Sequence, residues 1–218
     1  MIDTGHPRHS EAIDRQLDLV LGTRTLDYIF PTHTEMPHAG NLPHLAARHP
    51  EATICGDVRD YHLYYPELSR RLLRSSVGTT LDLGGTVFRF MPALIHDLSN
   101  TLWGYDGQTG SLFVSDGFAF AHHHEAGECS LTLEELSEPP TFDEVGFLNN
   151  AGLYWTRYVK LEPIFTQIAE LFAAEAIHQV LPAHGAVSTR PHEFAETIQT
   201  GMQSTRLSPP KIVKTLNG

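Results

Sequence analysis

His33, Glu35 and His38 lie close together in the stretch Phe30-Pro-Thr-His33-Thr-Glu35-Met-Pro37-His38-Ala-Gly-Asn41. Imidazole nitrogens and carboxylate oxygens are the donors that hold cations such as Zn, Fe and Mn. In an extended loop alternate residues point the same way, so His33 and Glu35 can reach one ion together. Taken alone, the stretch reads equally as a polar turn that contains two histidines. Three further residues change the balance. His96 follows Pro92-Ala-Leu-Ile, Asp116 follows Ser111-Leu-Phe-Val-Ser, and His184 sits in Pro182-Ala-His-Gly185. Each comes at the end of an apolar run that reads as a buried strand. A histidine or aspartate before glycine is an ordinary turn residue. Four strand ends carrying such groups are better explained by a metal site, because α/β enzymes assemble sites where strand ends converge.

The elements that must position these groups follow from apolar spacing. Glu11 to Gly22 carries Ile13, Leu17, Leu19, Val20 and Leu21, an amphipathic helix closed by a glycine. Leu26 to Phe30 reads as a strand, Asn41 to His49 as a helix, and Ala52 to Cys55 as a second strand. Tyr61 to Arg74 reads as helical. Thr79–Leu83 and Thr86–Phe90 flank Gly84-Gly85, a hairpin signal; Thr101–Tyr105 and Ser111–Val114 flank Asp106-Gly107, a second one. Ala121 to Pro140 reads as a long loop containing His122, His123, His124 and Glu125. Phe142 to Ala176 is mostly helical with a break near Val159 to Pro163, Ile177 to Leu181 a strand, and His192 to Gln203 a helix. Alternating helices and strands, without linker or repeat, predict one α/β domain over 1–218.

Composition narrows the functions. A chain of 218 residues with 41% hydrophobic residues can bury a sizeable core. Its formal net charge of −11 argues against a nucleic-acid or basic membrane-binding face. No apolar span reaches transmembrane length, and no basic-then-apolar leader opens the sequence. Two cysteines, Cys55 and Cys129, make no disulfide framework, so a cytoplasmic location is expected. Of the 14 histidines, several (His6, His9, His44, His49, His62, His178 and His192) have no motif around them and read as surface or core residues.

The ordered set resembles the metallo-β-lactamase superfamily: an Asp3-Thr-Gly5 turn, a histidine-rich loop after a strand, a single histidine, an aspartate after Leu-Phe-Val-Ser, and Pro-Ala-His-Gly. Steps of 63, 20 and 68 residues separate His33, His96, Asp116 and His184, compatible with that layout. The implied fold is an αββα sandwich. Glu35, where most hydrolases of the superfamily have histidine, resembles the flavodiiron proteins and their oxygen-binding diiron relatives. So does Tyr105 followed by Leu112-Phe-Val-Ser-Asp116-Gly-Phe118. The resemblance implies two Fe ions, with Mn or Zn as alternatives. The first takes His33, Glu35, His96 and Asp116, the second His38, Asp116 and His184. A carboxylate in place of imidazole makes the site harder, which suits Fe or Mn.

Pro37 departs from the pattern, which has aspartate there, so the second ion loses a carboxylate. A weaker second metal, a mononuclear centre or a substitute ligand from His122 to Glu125 would each follow. The chain also starts at the Asp-Thr-Gly turn, so either the first strands of the N-terminal sheet are missing or that edge is covered another way. Asp97, Ser99 and Asn100 are candidates to orient the His96 ring. Tyr154, Trp155 and Tyr158 are candidates to line a pocket over the metals, with Glu35, Asp116 and Tyr158 the catalytic set; core packing is the alternative for the aromatics.

The resulting expectation is a dinuclear-iron oxidoreductase that binds or activates O2 or a similar small oxidant. It would use an external electron-transfer protein or an oxidisable substrate, and work as a homodimer by analogy. A metal-dependent hydrolase of an ester, amide or phosphate bond is the alternative, and a non-catalytic O2 or metal sensor a third reading.

Overall fold

A computed structural model describes residues 1–121 and 130–204. The first sheet is parallel, in the order β1 (Tyr28–Ile29), β2 (Thr53–Gly56), β3 (Leu72–Arg74). Ile2 bridges Phe30 in parallel, which draws the N-terminal residues alongside β1. The second sheet runs β4 (Thr80–Asp82), β5 (Val87–Pro92), β6 (Leu102–Asp106), β7 (Ser111–Phe113), β8 (Gln179–Leu181). Its first three pairings are antiparallel and the last is parallel.

Period-two alternation sends the buried strand residues into three apolar layers. Ile29 and Ile54 face the helices α1 (Ser10–Leu21) and α3 (Leu42–Arg48), where they pack with Leu42, Leu45 and Ala46. Their neighbours Phe30 and Cys55 face the other way, onto Phe88, Phe90 and Leu102 of the second sheet. Met91, Trp103 and Leu112 then point outward beneath α5 (Phe142–Gly152), α6 (Glu162–Ala174) and α7 (Pro191–Ser204). Helix, sheet, sheet, helix is the αββα sandwich that the family resemblance implies.

Both hairpins form where expected. Leu83 N–H donates to Thr86 O at 2.9 Å around Gly84, whose φ of 79° favours glycine. One expectation is corrected. Tyr61 to Arg74 is not one helix but a single turn α4 (Tyr61–Tyr64), a 3-10 segment Pro66–Arg71 and strand β3. Pro66 lacks the N–H that a continuing helix needs and restricts Tyr65 before it, while Leu72 and Leu73 find ladder partners in Ile54 and Cys55. His38, expected on the loop after β1, lies on the helical turn α2 (Met36–Ala39).

Candidate metal centre

Four chain segments meet at one end of the two sheets. The loop after β1 brings His33 and Glu35, α2 brings His38, the turn after β7 brings Asp116, and the turn after β8 brings His184. Donor atoms of His33, Glu35, His38 and Asp116 all lie within 4.8 Å of one another. Asp116 is the hub: its Oδ2 lies 3.4 Å from His33 Nε2, and its Oδ1 lies 3.0 Å from His38 Nε2 and 3.2 Å from His184 Nε2. One carboxylate therefore faces imidazoles on both sides, as a bridge between two cations must.

The local backbone is built to hold these groups. Asp3 and Ser115 both adopt φ of 52°, in the left-handed region that non-glycine residues rarely occupy. From there Asp3 Oδ1 accepts Thr32 N–H at 2.7 Å, and Asp3 Oδ2 accepts His38 Nδ1–H at 2.8 Å. Thr4 N–H and Oγ1 both donate to His38 O, at 2.7 and 2.8 Å. Ser115 Oγ lies 3.1 Å from His33 Nδ1 and 2.7 Å from Thr32 Oγ1. A carboxylate can only accept from Nδ1, which leaves His38 Nε2 to face Asp116. His96 Nδ1 donates to Ala93 O at 2.7 Å, and its ring lies beside Trp155, whose Nε1–H donates to His96 O. His184 is followed by Gly185 at φ 127°, where a Cβ would lie 2.6 Å from Phe120.

Electrostatics match a cation site. Buried polar atoms almost always find partners. Yet His33 Nε2, His38 Nε2 and Asp116 Oδ1 are buried without a well-aligned hydrogen bond among the described residues, His38 Nε2 and Asp116 Oδ1 facing each other only as an ion pair at 3.0 Å. Burial works against charge on His38, but Asp116 and Asp3 outweigh it and raise its pKa to about 10. Burial also raises Asp116, yet His184 and His38 overcome this and hold it well below the usual carboxylate range. His33 is lowered, by burial first and then by the neighbouring His38. Orphaned donors grouped around a shared carboxylate fit a two-cation centre.

Not every predicted residue joins the cluster. His96 lies outside the group of four mutually close donors; its Nδ1 is taken by Ala93 O, so Nε2 is the ring atom that could ligate. Glu35 is at the rim, its side chain 56% accessible. Asp97 does not orient the His96 ring; its Oδ2 faces His33 Nε2 at 3.4 Å, and Asn100 donates to Thr34 Oγ1 instead. Tyr154 and Tyr158, 67% and 80% exposed, are not core residues; both belong to the 3-10 turn Tyr154–Tyr158. His122 to Glu125 fall outside the described residues. Asp3 and Ser115 were not singled out as partners of the ligands; the sequence signal for both is a short polar residue where a strand ends in a tight turn. An apolar cavity of about 730 Å³ lies between the sheets and touches Asp3, Pro37, His38 and His184.

The fold is a metallo-β-lactamase-like αββα domain, and it carries a His/Glu/Asp group that could hold metal. No family model matches the chain. Among curated proteins it is similar to the coenzyme F420H2 oxidase of Methanothermobacter marburgensis, 28% identical over 220 residues, covering 95% of this chain and 53% of the relative. Among solved structures it resembles the flavodiiron protein from Giardia intestinalis, with a TM-score of 0.69 and 17% identity over 92% of this chain and 48% of that one. It also resembles the rubredoxin oxygen:oxidoreductase of the anaerobe Desulfovibrio gigas, with a TM-score of 0.67 and 18% identity, covering 92% and 49%. The fold is thus that of the diiron, metallo-β-lactamase-like domain of flavodiiron proteins. The chain spans about half the length of these relatives.

Proposed function

We propose that the chain is a non-haem dinuclear-iron oxidoreductase that binds or activates O2 or a similar small oxidant. The observation that carries this is Asp116, whose two oxygens face His33 on one side and His38 and His184 on the other, with three of the facing atoms buried and orphaned. His33, Glu35, His96 and Asp116 would hold one ion; His38, His184 and Asp116 would hold the second. Carboxylates beside imidazoles favour Fe or Mn over a softer zinc set. Two irons so held would supply redox equivalents for reducing a small oxidant.

The chain's own residues do the positioning. Asp3 fixes His38 so that Nε2 faces the bridge, Ser115 does the same for His33, and Ala93 O does so for His96. Pro37 offers no ligand atom, and with His38 it lines the apolar cavity. We read Tyr158 as a phenol presented to a substrate or electron donor. Electrons come from outside the chain: the likeness to F420H2 oxidase and rubredoxin oxygen:oxidoreductase supports a reduced coenzyme or a small electron-transfer protein as donor. A homodimer and a cytoplasmic location complete the reading; no helix among the described residues is long and apolar enough to cross a membrane.

The test is O2 consumption by iron-loaded protein supplied with a chemical reductant, followed on an oxygen electrode. Iron-dependent uptake is expected. Turnover of an ester, amide or phosphate substrate by the zinc form, with no O2 uptake by the iron form, would establish the hydrolase instead.

A further inference from the structure

We propose that Asp97 is a direct metal ligand on the His33 side of the centre, while Pro37 leaves the His38 side without a second carboxylate. The inference rests on the two-cation reading above. His33 is 1% exposed, its Nδ1 lies against Ser115 Oγ, and its Nε2 has no hydrogen-bond partner. That orphaned nitrogen faces three carboxylate oxygens: Asp97 Oδ2 at 3.4 Å, Asp116 Oδ2 at 3.4 Å and Glu35 Oε2 at 3.9 Å. Two donors each about 2.1 Å from one ion stand roughly 3.0 Å apart at a right angle and roughly 3.4 Å apart at a tetrahedral angle. Asp97 stands at the same distance from His33 as the hub aspartate does, although it lies outside the group of four mutually close donors.

Asp97 is also held as a ligand is held. Its Oδ1 accepts Leu98 N–H at 2.7 Å and Thr101 Oγ1–H at 3.4 Å, which fixes the carboxylate and leaves Oδ2 for the site. Its side chain is only 15% accessible, against 56% for Glu35. The ring of the preceding His96 takes its Nδ1 contact from Ala93 O, so Asp97 is not needed to orient it.

The consequence is an asymmetric centre. With Asp97 the His33 ion has Glu35, Asp97 and a share of Asp116. The His38 ion has two imidazoles and the remaining share of Asp116. A cation gains most from the carboxylate-rich side, so the two sites fill in sequence rather than together.

The test uses Co2+ as the probe, titrated anaerobically into the full chain. Wild type should take up Co2+ in two unequal steps without a thiolate-to-cobalt band, although it contains Cys55 and Cys129. Asp97→Cys should gain that near-ultraviolet charge-transfer band, because thiolate bound to cobalt produces it and a thiol merely nearby does not. Asp97→Asn, nearly the same shape, should weaken the tighter step by at least about 10-fold and spare the weaker one, with Asp97→Glu restoring it. Cobalt-loaded Asp97→Cys without the band, or Asp97→Asn with both steps unchanged, would overturn the assignment. If Asp97→Cys does not fold, the Asn and Glu variants decide. Wild type that takes up no Co2+ overturns the two-cation reading, and the Asp97 assignment with it.

Discussion

Replacing Asp3 by asparagine should disable the His38 side of the centre while leaving the fold intact. Asp3 sits at φ 52°, a conformation that asparagine tolerates better than other L-residues, so backbone strain is not added. The native carboxylate accepts from two donors at once, Thr32 N–H at 2.7 Å and His38 Nδ1–H at 2.8 Å. Asparagine has one acceptor oxygen and one donor NH2. If the oxygen keeps Thr32, the NH2 faces His38 Nδ1 and selects the tautomer with its proton on Nε2, the atom that must ligate. Restoring the competent tautomer then costs about one buried hydrogen bond, roughly 1–3 kcal/mol. At 1.4 kcal/mol per tenfold, this is a loss of roughly 5- to 100-fold in affinity for the His38-side cation. Competition against a chromophoric chelator measures it, with circular dichroism confirming the fold. An Asp3→Asn protein that binds both cations as tightly as wild type would refute the claim that Asp3 sets the His38 tautomer.

Three further outcomes follow from the same geometry. His38 is raised in the folded, metal-free protein, so its contribution to stability is full below its ordinary pKa of about 6.5 and is lost as pH rises through about 10. A cation must displace that proton, so binding at pH 7 should release protons, measured by calorimetry in buffers of different ionisation enthalpy; binding with no buffer dependence would contradict it. Pro37→Asp should strengthen the weaker metal step by about 10-fold or more, read in the same chelator titration, because it returns a carboxylate beside His38. Tyr158→Phe should leave metal content and thermal stability unchanged, since the ring is 80% exposed, while lowering turnover with reductant and O2; unchanged turnover would remove Tyr158 from the mechanism.

Much of this molecule was legible in the sequence because its signals are local. Gly84-Gly85 and Asp106-Gly107 mark their hairpins, apolar spacing marks α1 and α3, and strand ends mark the ligands. Strand β3 was not legible, because Leu72 and Leu73 follow a helical turn and become a strand only by pairing with β2. Tyr154 and Tyr158 read by type as pocket-lining or core residues, yet a short 3-10 turn leaves them exposed. The supporting contacts were the least visible. Asp3 reaches His38 across 35 positions and Ser115 reaches His33 across 82, through pairings of strands that no local pattern records. Asp97 shows the same effect at the site itself. Adjacency to His96 suggested that it served that ring, whereas the turn after β5 aims it at His33.

The most direct test of the account is iron stoichiometry in protein reconstituted anaerobically with excess Fe2+ and freed of loosely bound metal. The account predicts two irons per chain, the second bound more weakly than the first, and an absorption change when O2 is admitted. Protein that retains zinc in preference to iron, holds no second ion at any Fe2+ concentration and is indifferent to O2 would contradict it.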